Sequence, residues 1–222
     1  MHASRPWWLL IGVISVLSCV LLGIAVKPSS THRAPGADTS WMALIRLHQS
    51  PFAGAVSTFL GEIGGGMLGG IVIPLLIMVC FVAGRRPRTA LFFGVATVVS
   101  AESVVLLKLA FDRPSPGQLV LGDLVGSFPS GHAANAATLV VVLCLVARRA
   151  WVVTVGGFYV VLMMISRTYL GVHWLSDTFG GVATGVGAAL ILYGLLGSFI
   201  DRERNRLPRV PRSVGTENAL SG

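Results

Sequence analysis

Ser166-Arg167-Thr168-Tyr169-Leu170-Gly171-Val172-His173-Trp174-Leu175-Ser176-Asp177 sets an arginine, a histidine and an aspartate inside otherwise apolar sequence. With a helix starting near Trp174, His173 and Asp177 are four residues apart and share a face. The carboxylate then accepts from one imidazole nitrogen and leaves the other for chemistry. Arg167 precedes them with a planar fork of donors that matches phosphate oxygens. A single histidine in such a place is more often a paired structural side chain, because polar groups within a membrane must find partners. Two further polar clusters change that balance.

Outward from this stretch the chain is apolar. Of its 222 residues 54% are hydrophobic and 12% charged, a charged share about half that of a soluble domain. The composition is that of an integral membrane protein with a single domain. A net charge of +8 invites a nucleic-acid partner, but the charges fall in short clusters between apolar runs, as membrane topology requires. No nucleic acid is expected as partner. Cys19, Cys80 and Cys144 lie in apolar runs without metal-ligand spacing and read as packing residues.

The expected fold is all-α, with six transmembrane helices in a bundle. The first span closes residues 1–26; its apolar run of 20 residues from Trp7 is long for a signal peptide and lacks a small-x-small cleavage site. Residues 27–63 form an outer loop, with an interfacial helix at residues 41–48. Residues 51–83 would reach about 50 Å as one helix, against a core of about 30 Å. The break is placed at Gly64-Gly65-Gly66, with residues 52–63 lying along the interface. Five further spans fill 66–200, at about 66–83, 89–110, 130–146, 151–166 and 174–200. Residues 201–222 form a basic cytoplasmic tail. The pairs Gly65 and Gly69, Gly66 and Gly70, and Gly181 and Gly185 carry the spacing that lets helices approach closely. His2, His32 and His48 read as exposed or headgroup-level side chains.

Eleven of the Lys and Arg residues fall on one side of this topology and six on the other. The richer side should be cytoplasmic, which puts both termini inside. Lys108 and Arg113 at the end of the third span, Ser130-Gly131-His132 at the start of the fourth, and the quoted stretch then share the outer side. Three basic side chains and two histidines meeting at one depth suit a dianion, most simply a phosphate. Ser130 and Gly131 open a helix, whose free N–H groups and dipole seat an anion. Glu102 does not share a face with Lys108, and Asn135 reads as a residue fixing helix contacts. Asp112 and Asp123 read as loop residues, solvated or capping.

Together these residues resemble the type 2 phosphatidic acid phosphatase family. Pro129-Ser130-Gly131-His132 matches its second motif in full, and Ser166, Arg167, His173 and Asp177 match the third at the correct spacing. The first motif, Lys, six residues, Arg-Pro, departs: Lys108 is followed at that distance by Ser115-Pro116, and Arg113-Pro114 comes two residues early. The resemblance covers roughly residues 60–200. It implies a metal-independent membrane hydrolase without cofactor. His173 would be the nucleophile that forms a phosphohistidine, Asp177 its orienting carboxylate and His132 the general acid. Lys108, Arg113, Arg167, Ser130 and the Gly131 N–H would hold phosphoryl oxygens. It implies a lipid phosphate as substrate: phosphatidic acid, phosphatidylglycerol phosphate or a polyprenyl phosphate or pyrophosphate. The alternatives are a lipid phosphotransferase using the same site and a non-catalytic phospholipid-binding membrane protein. No internal repeat supports a transporter.

Overall fold

The computed structural model describes residues 5–27, 34–117 and 126–206. His2, His32, Asp123 and the tail beyond residue 206 lie outside them. The described residues are all-helical: α1 (Arg5–Val26), α2 (Gly36–Leu47), α3 (Pro51–Gly64), α4 (Ile73–Ala83), α5 (Pro87–Phe111), α6 (Gly131–Ala147), α7 (Ala150–Tyr169) and α8 (Leu175–Arg206).

Local chemistry explains where the helices start. Ser50 caps α3, its hydroxyl accepting from the Ala53 N–H at 3.2 Å, and Pro51 occupies the first helical position. The Ser130 hydroxyl accepts in the same way from the Ala133 N–H at 3.5 Å at the head of α6. The first turn of α5 is capped from a distance: the Glu203 carboxylate on α8 accepts from the Arg88 and Thr89 N–H groups at 2.8 and 3.0 Å. Asp177 caps its own helix by accepting from the Trp174 N–H at 2.8 Å.

Helix α8 is the central post, packed by α1, α5 and α6. Glycines make that possible. A Cβ on Gly181 would strike the Ser130 carbonyl and one on Gly185 the Ala134 carbonyl, so α8 lies directly against the α6 backbone. On the opposite face a Cβ on Gly12 would come within 2.8 Å of Ile191. Of the expected glycine pairs, Gly181 and Gly185 therefore do pack two helices. Gly66 and Gly70 have nothing within 4 Å of a built Cβ. Large apolar side chains point outward instead of inward: Leu21, Ile24, Val79, Leu106, Phe158 and Leu195 are all exposed. Such an exterior is stable against hydrocarbon and not against water.

Four helices are long and apolar enough to cross a bilayer: α1, α5, α7 and α8. The fifth candidate is a bent pair. α3 and the segment Leu68–Ala83, which opens on a π-helical turn (Leu68–Val72), meet at 42°. The fourth expected span, α6, has 17 residues, about 26 Å at 1.5 Å per residue. The triple glycine does mark the break, with Gly66 at φ +59°, which glycine adopts without strain. The Asn135 amide donates to the Gly64 and Gly69 carbonyls at 3.0 Å each. Backbone groups freed by the bend are thereby satisfied within protein. The stretch expected to lie along the interface forms α3, which packs on α7 and α6.

Gly185→Leu is expected to force α8 off α6 and lower the melting temperature in detergent, an overpacking cost of about 1–3 kcal/mol. Gly157→Leu, at a position with nothing within 4 Å, should leave the melting temperature unchanged.

Candidate active site

The three polar clusters meet at one end of the bundle. Lys108 comes from the last turn of α5, His132 from the first turn of α6, Arg167 from the last turn of α7, and His173 and Asp177 from the head of α8. His132 lies within Coulombic reach of Arg167, His173 and Lys108. The Ser130 N–H donates to the Asp177 carbonyl at 2.9 Å, so the backbones of the second and third motifs are joined directly. Lys108 donates through Nζ to the Gly126 carbonyl.

The surroundings of His173 are ordered from behind. Asp177 is fully buried. Its Oδ2 lies 3.6 Å from His173 Nδ1, longer than a hydrogen bond; such pairs tighten when a ligand is bound. Since Nδ1 faces the carboxylate, Nε2 is the nitrogen left for chemistry.

On the other side, Arg167 Nη1 meets His132 Nε2 at 3.1 Å, and Nη2 donates to the Ser57 carbonyl at 3.3 Å. A guanidinium is only a donor, so His132 Nε2 accepts here. An anion arriving between them takes over the Arg167 bond and frees that nitrogen to hold a proton. Three buried side-chain polar atoms lack a partner among the described residues: Trp41 Nε1, Arg167 Nε and His173 Nδ1. His173 Nδ1 faces Asp177, whereas Arg167 Nε is a buried orphan donor at the cup, of the kind expected where a ligand completes the bonding.

Helix α3 roofs the cup. A Cβ on Gly61 would strike the Arg167 guanidinium, and one on Gly65 the His132 ring. Only glycine lets the α3 backbone lie this close. Beside His132 a cavity of about 310 Å³ opens between the bent segment and α5, walled by Gly65, Gly70, Ala101, Val104 and Asn135.

Arg113 departs from its expected place among the phosphate ligands. Nη1 donates to Asp177 Oδ1 at 2.6 Å and to the Ser176 hydroxyl at 2.7 Å; Nη2 donates to Asp38 Oδ2 at 2.7 Å. Both terminal nitrogens are taken by partners behind Asp177, because two buried carboxylates bind a guanidinium more strongly than an open site does. Glu102 is exposed on α5, and Asn135 serves the bend. Asp38 was not foreseen: it lay before the helix expected at residues 41–48, whereas the helix begins at Gly36 and takes Asp38 into its first turn. Gly65 was read as part of a break and not as a roof, and Gly61 was not singled out. No local signal separates those uses, since both depend on what packs against them.

Residues 88–200 match the PAP2 superfamily. Phosphatidylglycerophosphatase B of Bacillus subtilis is 36% identical over 85 residues, 34% of this chain and 40% of that protein; the match thus spans less than half the length of that relative. Decaprenylphosphoryl-5-phosphoribose phosphatase of Mycobacterium tuberculosis is 29% identical over 72% of this chain and 91% of that one. The crystal structure of a transmembrane PAP2 type phosphatidylglycerolphosphate phosphatase from Bacillus subtilis superposes with a TM-score of 0.63 at 27% identity, over 86% of this chain and 96% of that chain.

Gly65→Ala places a methyl group on the His132 ring, a movable side chain, so folding should survive. Turnover of a lipid phosphate is expected to fall on the order of 10²-fold, the scale for a reacting group displaced by about 1 Å. Phosphate release measured beside the detergent melting temperature checks this.

Proposed function

This chain belongs to the PAP2 superfamily, and from that premise we propose that it is an integral membrane phosphatase that hydrolyses a lipid phosphate or pyrophosphate. The single observation that carries the proposal is the convergence of Lys108, His132, Arg167 and the His173–Asp177 pair in one buried cup. Four cationic or ionisable nitrogen side chains around a gap suit a tetrahedral dianion and little else.

In the proposed reaction the phosphoryl oxygens are held by Lys108, Arg167 and the N–H groups at the head of α6, with Ser130 and Gly131 forming its first turn. His173 Nε2 attacks phosphorus in line. The bond from phosphorus to the lipid oxygen breaks, and His132 gives its proton to that oxygen. Asp177 balances the positive charge that the His173 ring takes on. A water then attacks the phosphohistidine, His132 takes back a proton, inorganic phosphate leaves and His173 is restored. Side-chain cations supply the charge that a metal ion supplies in other phosphatases.

The leaving alcohol departs on the His132 side, and the cavity there is walled by glycines and, on α5, by Ala101, Val104 and Val105 beside Thr97 and Ser100, a mostly apolar surface. That supports a hydrocarbon chain as the substrate's other half. The lipid substrates in the names of its relatives support the same class. The excess of Arg and Lys at the opposite end supports an outward-facing site with both termini cytoplasmic.

A panel of lipid phosphates and pyrophosphates in detergent, with a chelator present, tests the proposal by released phosphate. His173→Ala is expected to abolish release, and His132→Ala to lower it by roughly 10²–10⁴-fold. Phosphate appearing on an added lipid acceptor in place of water would make the enzyme a phosphotransferase. Retention of cellular activity by His173→Ala would make it a binding protein.

A further inference from the structure

We infer that Asp38, on α2 and outside the residues that match the family, is a positioning residue for the nucleophile, acting through Arg113 on Asp177. The inference rests on His173 being that nucleophile.

Three buried charged side chains form a line. Asp38 and Arg113 are each 2% exposed and Asp177 0%. Arg113 spans the two carboxylates, at 2.7 Å to Asp38 Oδ2 and 2.6 Å to Asp177 Oδ1. Asp38 has further bonds to the first turn of α8: Oδ1 accepts from the Ser176 N–H at 2.9 Å and Oδ2 from the Ser176 hydroxyl at 2.6 Å. Asp177 Oδ2 takes the Trp174 N–H and faces His173. Each oxygen of Asp177 is thus assigned: Oδ1 is clamped from behind and Oδ2 points forward. The Arg113 guanidinium also lies 5.4 Å from the centre of the Trp174 ring, next to His173 in sequence.

Charge gives the second half of the inference. Arg113 alone would neutralise Asp177 and leave it a weak partner for a His173 ring that becomes positive. With Asp38 the trio carries one net negative charge, in a buried setting where charges act strongly. Asp38 therefore both fixes the direction of Asp177 and preserves its negative field. Carboxylates that orient a working histidine from the next layer out typically contribute ~10–100-fold to activity. A lone structural tie between α2 and α8 would do neither.

The test uses the full chain in detergent with a lipid phosphate that the wild type hydrolyses, reading both the rate of phosphohistidine formation by rapid quench and the steady-state kcat and KM. Asp38→Asn is expected to slow phosphohistidine formation and kcat together by ~10–100-fold, with KM nearly unchanged. Added to Asp177→Asn it should cost little more, since residues acting through one another are not additive. Losses that multiply in the double variant, or an Asp38→Asn enzyme with wild-type phosphohistidine formation, would overturn the inference. Should Asp38→Asn fail to fold, Ser176→Ala replaces it. That change removes the hydroxyl bond to Asp38 and the one from Arg113, keeps the backbone N–H bond to Asp38 and all three charges, and should slow formation by a smaller factor at unchanged KM; no slowing would overturn the inference equally. His173→Ala separates the two levels. If it retains phosphate release, the proposed nucleophile is wrong; if it is dead while Asp38→Asn is normal, only the role of Asp38 falls.

Discussion

Arg113 sits between two buried carboxylates, and much of the rest of the site follows from the need to pair charge inside an apolar bundle. A guanidinium removed from water is stable only where its donors are met. Asp38 and Asp177 meet them, and by doing so they tie three distant parts of the chain: α2, the loop after α5, and the head of α8. The same need places Arg167 against the Ser57 carbonyl and the His132 ring. Partners run out at Arg167 Nε, a buried donor left without an acceptor among the described residues.

Pairing of this kind requires close backbones, and glycine supplies them. Gly181 and Gly185 bring α8 onto the α6 backbone, so that the Ser130 N–H reaches the Asp177 carbonyl. Gly61 and Gly65 bring α3 onto Arg167 and His132. The two sets act on different sides of one site. One aligns the motif backbones; the other brings backbone without side chains over Arg167 and His132, beside the cavity that His132 lines. Asn135 allows the bend that makes this roof, because it bonds the carbonyls that a broken helix leaves bare.

The all-helical membrane class, the break at the triple glycine and the histidine pair were legible in the sequence, because each has a local cause. Apolar run length is set by bilayer thickness, Gly64-Gly65-Gly66 weakens a helix wherever it occurs, and His173 and Asp177 are four apart in sequence across the start of α8. The close-packing glycines were legible in spacing only for Gly181 and Gly185. Gly65 has the same spacing, yet it covers His132.

Left to themselves, then, the residues determined what had to be buried in lipid and which side chains carried chemistry, since both depend on identity and short-range periodicity. Tertiary structure alone decided which charge faced which. Arg113 could serve a phosphate or a carboxylate with equal chemistry, and Asp38 is 139 residues from Asp177. Only the folded path of α2 over the head of α8 brings Asp38 to Arg113 and turns an expected phosphate ligand into the support of Asp177.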